Sequence, residues 1–419
     1  MDSGYSNYED TTALPRHRWY YYKEGFSPNL VTEAIQKTEI TKEDLIIDPF
    51  NGSGTTTLTA STLGYKSVGI EVNPFTSFLS KTKSKDVNLN LLNTAENLLL
   101  KGCEKGMPSP LSGYSTFSKT GDLNKWLFND EVLTSFEGGW LKTNEIASYD
   151  IRKILRLSLI SAAMQNCNAR RDGKCLRYKP SWDQKNFDRA SFMASFDANL
   201  TIIKEDIENH PVTKNATIIN EDARRFLSTN NLSKKFKLCI TSPPYLNTFD
   251  YTDIYRPELF LGKFVQSSEQ LYNLRLQTVR SHVQAKWDLP CLDDFGFLYS
   301  QAISHVNANT EHLMHKNIPL MIQAYFEDMY NILKLLRGKA DNNAQLWFVV
   351  SNSAYANMEI PVDLIIAEIG SKAGWALKDI GVLRNIKRRK TKHSPDITHL
   401  RESVIIFNAT KSHPKKNSD

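Results

Sequence analysis

Leu45-Ile46-Ile47-Asp48-Pro49-Phe50-Asn51-Gly52-Ser53-Gly54-Thr55-Thr56 reads as a short buried strand that closes on an acid and turns through two glycines into a helix. Glycines lack Cβ, so backbone can approach a ligand at the carboxyl end of the strand, where open α/β sheets bind cofactors. The third glycine of G-x-G-x-x-G is missing and no lysine follows as in a P-loop. A dinucleotide or a nucleoside triphosphate is therefore disfavoured. About fifteen residues on, a second strand ends in Gly69-Ile70-Glu71-Val72-Asn73-Pro74. A carboxylate at that tip is placed to accept both hydroxyls of a ribose.

Outward from this turn, further apolar segments read as strands: Ser67–Ile70, Ala216–Ile219, Leu238–Ile240, Gln345–Val350, Trp375–Leu377 and Ser403–Phe407. Met321–Leu336 and Val362–Lys372 carry the helical period between the later ones. The fold class expected is α/β, an open and mostly parallel seven-stranded sheet with helices on both faces. Two intervals are too long for one crossover: about 140 residues after Asn73 and about 75 after Tyr245. Ile151–Ala163 and Phe192–Ile207 are apolar at helical period, so these intervals read as mostly helical insertions. The expected organisation is a discontinuous catalytic domain of residues 1–75, 215–250 and 320–410. Insertions occupy 76–214 and 251–319, both candidates for target recognition, and residues 411–419 form a disordered tail.

Composition narrows the class. With 419 residues, 41% hydrophobic and 23% charged, the chain is globular rather than disordered or fibrous. No apolar run approaches the ~20 residues that span a bilayer, and Met1–Asp10 is acidic and polar, unlike a signal peptide. Five cysteines without a C-x-x-C pair indicate neither a disulfide framework nor a metal site, so the expected location is the reducing cytoplasm. The net charge of +6 is unevenly placed: Arg384–Asp419 holds ten basic and three acidic residues, which leaves 42 and 43 before it. The run Arg384–Lys392, with Lys387, Arg388, Arg389 and Lys390, is expected in a loop between the last two strands, holding phosphates rather than bases.

A second chemical motif is Lys237-Leu238-Cys239-Ile240-Thr241-Ser242-Pro243-Pro244-Tyr245. Two prolines make the chain leave the strand as a stiff hook. It offers a hydroxyl, an uncovered proline carbonyl and an aromatic ring at fixed separations. That suits a planar ligand bearing an amino group: the ring stacks while the oxygens accept N–H bonds.

Asp48–Thr56 and Thr241–Tyr245 resemble the cofactor and catalytic motifs of the S-adenosylmethionine-dependent DNA amino-methyltransferases, and Ser-Pro-Pro-Tyr resembles their cytosine-N4 branch. The resemblance implies a Rossmann-like methyltransferase sheet, S-adenosyl-L-methionine as cofactor and duplex DNA as partner, with a restriction endonuclease for the same site as a candidate companion. It implies cofactor contacts from Phe26, Pro28, Asp48, Phe50, Asn51, Gly52, Ser53, Gly54, Thr55, Glu71, Asn73, Asp222, Ala223 and Thr241. It implies catalytic roles for Ser242, Pro243, Pro244 and Tyr245, and no metal. The insertions depart from the minimal family pattern. DNA contacts are sought in Asn168–Lys179, with Arg170, Arg171, Lys174 and Arg177, and in Tyr272–Lys286, with Arg275, Arg280, His282 and Lys286.

The target amine is buried in the duplex stack, so such an enzyme flips its nucleotide out. Tyr245 then stacks on the base while Ser242 and the Pro243 carbonyl accept the amine hydrogens. An adenine-N6 enzyme can use the same hook, as can an RNA base or protein glutamine methyltransferase. A non-catalytic nucleic-acid-binding module has no reason to keep Gly52, Gly54, Glu71 and Tyr245 together.

Overall fold

The computed structural model describes residues 8–121, 123–173, 175–229, 232–388 and 391–410. In chain order the strands are β1 (Leu45–Asp48), β2 (Lys66–Ile70), β3 (Ala169–Asp172), β4 (Cys175–Tyr178), β5 (Thr217–Ile219) and β6 (Phe236–Thr241). They continue as β7 (Ala340–Ser351), β8 (Ser353–Tyr355), β9 (Met358–Ile360), β10 (Trp375–Lys387) and β11 (His399–Ala409). Seven of them form one sheet in the order β10-β11-β7-β6-β1-β2-β5. Only β11 runs against its neighbours, pairing antiparallel with both β7 and β10. The sheet grows from β1 in both directions, towards β2 on one side and β6 on the other. This is the reversal point at whose carboxyl edge doubly wound sheets bind ligands.

Apolar runs at β1 and β6 are buried on both faces, as parallel strands between helix layers must be. Leu30, Ile46, Ile240 and Val404 belong to the core on one face, and Ile47, Cys239, Phe348 and Ile405 to the core on the other. The helix Thr55–Thr62 starts directly from the glycine turn, with Gly54 at φ 93°. That is left-handed backbone, and a Cβ there would also collide with Ser80. The helices Val362–Lys372 and Ile318–Lys339 stand where the period placed them, the second longer by about a turn at each end.

Helices Leu89–Lys105, Asp130–Thr143, Tyr149–Gln165 and Arg189–Asn209 fill the first long interval. Their core is shared with Ile254, Tyr255, Leu259 and Phe260 from the start of the second interval. Val279, Phe295, Tyr299 and Val306 from later in that interval join the sheet-face core instead. The first interval also contains the two-stranded hairpin of β3 and β4, which the helical expectation omits. Among the described residues no helix is long and apolar enough to cross a membrane.

The basic run does not begin a loop at Arg384. Strand β10 continues to Lys387, with Ile386 opposite Leu400 and Lys387 opposite His399 on β11. It is an edge strand, where charged side chains are tolerated and guard against edge-to-edge pairing. Arg388 then turns inwards, donating to the carbonyls of Ser394 (3.0 Å) and Ile397 (3.4 Å). Arg389, Lys390, Lys174 and the tail 411–419 lie outside the described residues.

Candidate active site

A cavity of about 300 Å³ opens at the carboxyl edge of β1, β2 and β6. Pro49, Phe50 and Gly52 line it from the glycine turn, Glu71 and Asn73 from the tip of β2, and Ser242 to Tyr245 from the hook after β6. Asp222 and Ala223 join from the start of the helix Ala223–Ser228.

Glu71 is held by two backbone donors, Gly52 N–H on Oε2 (2.7 Å) and Asn73 N–H on Oε1 (2.8 Å). Each carboxylate oxygen keeps acceptor capacity for a ligand. Burial, only partly offset by these bonds, raises its pKa from the ordinary 4.5 to about 7. Asn73 caps the helix Pro74–Lys83 by accepting from Phe75 N–H at 3.0 Å, while its Nδ2 is buried without a partner. Gly52 sits at φ 48° with the Tyr22 ring 3.4 Å from where a Cβ would stand. A polar ligand with hydroxyls for Glu71 and an acceptor for Asn73 fits this lining, and a nucleoside-bearing sulfonium meets both demands.

The remaining residues of the glycine turn lie behind the wall rather than in it. Asp48 is fully buried and accepts from Thr241 Oγ1 (2.6 Å) and Phe50 N–H (3.0 Å), which ties β1 to the strand that carries the hook. Burial raises its pKa to about 6. Asn51 donates to Ser80 and accepts from Thr57 at 2.8 Å, bracing the turn against the next helix. Phe26, Pro28, Ser53, Gly54, Thr55 and Thr241 are likewise not in the lining. Asp222 lines the cavity but is ion-paired with Arg224 at 2.7 Å.

At the hook, Ser242 donates to the Tyr245 oxygen (3.2 Å), and Tyr245 donates to Glu402 Oε1 (2.6 Å). Burial and then the Glu402 charge push the Tyr245 hydroxyl well above its ordinary pKa. Glu402 on β11 also pairs with Arg384 on β10, at 2.8 Å. Neither residue is suggested by the sequence motifs, nor are Tyr22, Glu24, Tyr251 and Tyr255, which complete the wall. For the aromatic side, the signal in the sequence is the Trp19-Tyr20-Tyr21-Tyr22 cluster.

The expected DNA contacts divide. Arg280 is buried and clamped to Glu327 (2.6 Å) and Asp328 (2.8 Å), so it is not a DNA contact. In the same segment Arg275 pairs with Asp250 at 2.6 Å, and His282 is buried with its pKa lowered by that burial. Arg171 is also turned inwards, paired with Glu258 and lying over the Tyr255 ring at 4.4 Å. Arg170 and Arg177 are exposed on β3 and β4, Arg177 beside Asp172 at 2.5 Å. Gly173, in the turn of this hairpin, reaches the cavity lining. Lys387 is exposed at the end of β10.

The DNA methylase family of N6 and N4 methyltransferases matches residues 3–80, which contain the glycine turn and Glu71. Residues 3–80 thus carry the signature of the N6/N4 DNA methylases, and similarity along the rest of the chain supports the same family. Its methyl donor is therefore S-adenosylmethionine. The Type II methyltransferase M.BsoBI of Geobacillus stearothermophilus is 28% identical, over 93% of this chain and 85% of the relative. The Type II methyltransferase M.AvaI of a Nostoc strain is 26% identical, over 90% and 82%. A solved rRNA methyltransferase of Streptomyces viridochromogenes covers 91% of the chain and 85% of its own at 11% identity. Its TM-score of 0.29 is too low to inform the fold.

Proposed function

We propose that this DNA methylase transfers the methyl group of S-adenosylmethionine to N4 of a flipped-out cytosine in duplex DNA, at one short sequence, in a restriction-modification system. The observation that carries this is the meeting of Glu71 and the Ser242-Pro243-Pro244-Tyr245 hook in one cavity. Similarity to two Type II methyltransferases over most of the chain supports the restriction-modification setting. The insertion 76–214, through its β3–β4 hairpin, is the favoured element for target recognition, since the candidate segment 272–286 is largely engaged in internal ion pairs.

The bound cofactor supplies an electrophilic methyl group on a sulfonium. Glu71 would accept ribose hydroxyls, with Asn73 Nδ2 and the bare backbone at Gly52 beside it. An exocyclic amine is a poor nucleophile because its lone pair is delocalised into the ring. Ser242 Oγ and the Pro243 carbonyl would accept its two hydrogens and draw the nitrogen towards tetrahedral geometry. Tyr245 would stack on the base, and the aromatic wall would exclude water. The serine favours cytosine because, within the resemblance, adenine enzymes carry an acid or amide at that position. Mass spectrometry of nucleosides from methylated DNA tests the base: N4-methylcytosine is expected, and N6-methyladenine in its place overturns the assignment.

A further inference from the structure

Ser242, Tyr245, Glu402 and Arg384 come from separate parts of the chain yet form one hydrogen-bonded line along the cavity wall. Arg384 and Glu402 are direct partners across β10 and β11, next to a register shift after Val382 that re-aims the strand. Glu402 is only 3% exposed, and a buried carboxylate needs the paired donors it has here.

The chemistry of the two end groups sets the direction of the line. A guanidinium can only donate and a carboxylate can only accept. Glu402 thus receives a hydrogen from Arg384 and another from Tyr245. With its hydrogen directed at Glu402, the Tyr245 oxygen accepts from Ser242. The Ser242 hydrogen is thereby turned along the wall, leaving oxygen lone pairs for a donor in the cavity. A serine without this constraint could equally donate into the cavity, which would repel an amine hydrogen.

We propose that Glu402 is a positioning residue: acting through Tyr245, it makes Ser242 an obligate acceptor towards the target amine and receives the proton that the methylated amine loses. The N–CH₃ bond forms as the S–CH₃ bond breaks, and the nitrogen then carries one proton too many. Its N–H bond breaks as Ser242 Oγ takes that proton. The original Ser242 hydrogen moves to Tyr245, the Tyr245 hydrogen moves to Glu402, and the carboxylate becomes a carboxylic acid. This inference rests on the amino-methylation reading.

Glu402→Gln tests it, because the two side chains share a shape but not a polarity. The amide has one oxygen, which Arg384 must occupy, so the NH₂ faces Tyr245 and donates to it. The whole line reverses and Ser242 points its hydrogen into the cavity. Single-turnover methyl transfer to unmodified, PCR-amplified genomic DNA should fall roughly 100-fold in Glu402→Gln, with cofactor affinity by calorimetry unchanged. Tyr245→Phe cuts the line without reversing it, so Ser242 can rotate, and the loss should be nearer to about 10-fold. The double variant should match Tyr245→Phe and so be faster than Glu402→Gln alone. A role in packing alone predicts that the double variant is the slowest of the three, and that result would overturn the proposal. A Tyr245→Phe enzyme at the wild-type rate overturns it by itself, even if Glu402→Gln fails to fold. If the wild-type enzyme yields no N-methylated base, the amino-methylation reading fails instead.

Discussion

Glu71 sits at the junction of binding and stability. Its carboxyl is raised from 4.5 to about 7, so between those values the folded protein keeps a proton that the unfolded chain has released. Stability therefore falls as pH rises through that window, by up to about 3 kcal/mol for this one group. Glu71→Gln does not titrate, so in the cofactor-free protein its melting temperature should gain on wild type between pH 5 and pH 7.5. A difference that stays constant with pH would mean that the carboxyl is not perturbed. Glu71→Ala should weaken cofactor binding by about 1–3 kcal/mol in calorimetry, the scale of a missing charge-assisted bond, and unchanged affinity would remove Glu71 from the site. At this scale the sequence was partly legible. The strand-tip rule located Glu71 and the double proline located Ser242 and Tyr245, because both depend on local chain direction. Glu402 depends on pairing between β10 and β11 and on a register shift within it, and no local pattern encodes that. Asp48 was located correctly at the strand end, but its carboxyl joins two strands and does not face the cavity.

Basic segments behave differently according to the element that carries them. In Tyr272–Lys286 both arginines face acids on neighbouring elements, above all the Arg280 clamp to the helix Ile318–Lys339, while Lys286 is exposed. A sequence shows the charge but not the partner 47 residues away. Arg280→Ala should cost about 3–5 kcal/mol in urea unfolding, as expected for stranding buried carboxylates. A cost below 1 kcal/mol, with weakened DNA binding, would instead return Arg280 to the DNA interface. On the β3–β4 hairpin, Arg171 anchors the inner side while Arg170 faces outwards. Arg170→Ala should leave cofactor binding intact and weaken DNA binding. Removing one phosphate-neutralising charge flattens the log–log salt dependence of binding by about 0.9, so an unchanged slope would show that Arg170 touches no phosphate.

For the molecule as a whole, the strand order places the glycine turn, Glu71 and the hook at one edge of the sheet, where they share a cavity. The alternation of strands and helices made that architecture readable. The insertions resisted reading because helical period reveals helices but not which core they join, and one of their cores draws on both intervals. The central claim is amino-group methylation of DNA at the Ser242 hook. Single-molecule sequencing of chromosomal DNA from a methylation-free host, expressing either the wild-type chain or Ser242→Ala, tests it most directly. The expected result is N4-methylcytosine at nearly every copy of one short sequence with the wild-type chain, and its disappearance with the variant. An unmodified genome, methylation at carbon 5 of cytosine, or full modification by Ser242→Ala would contradict the account.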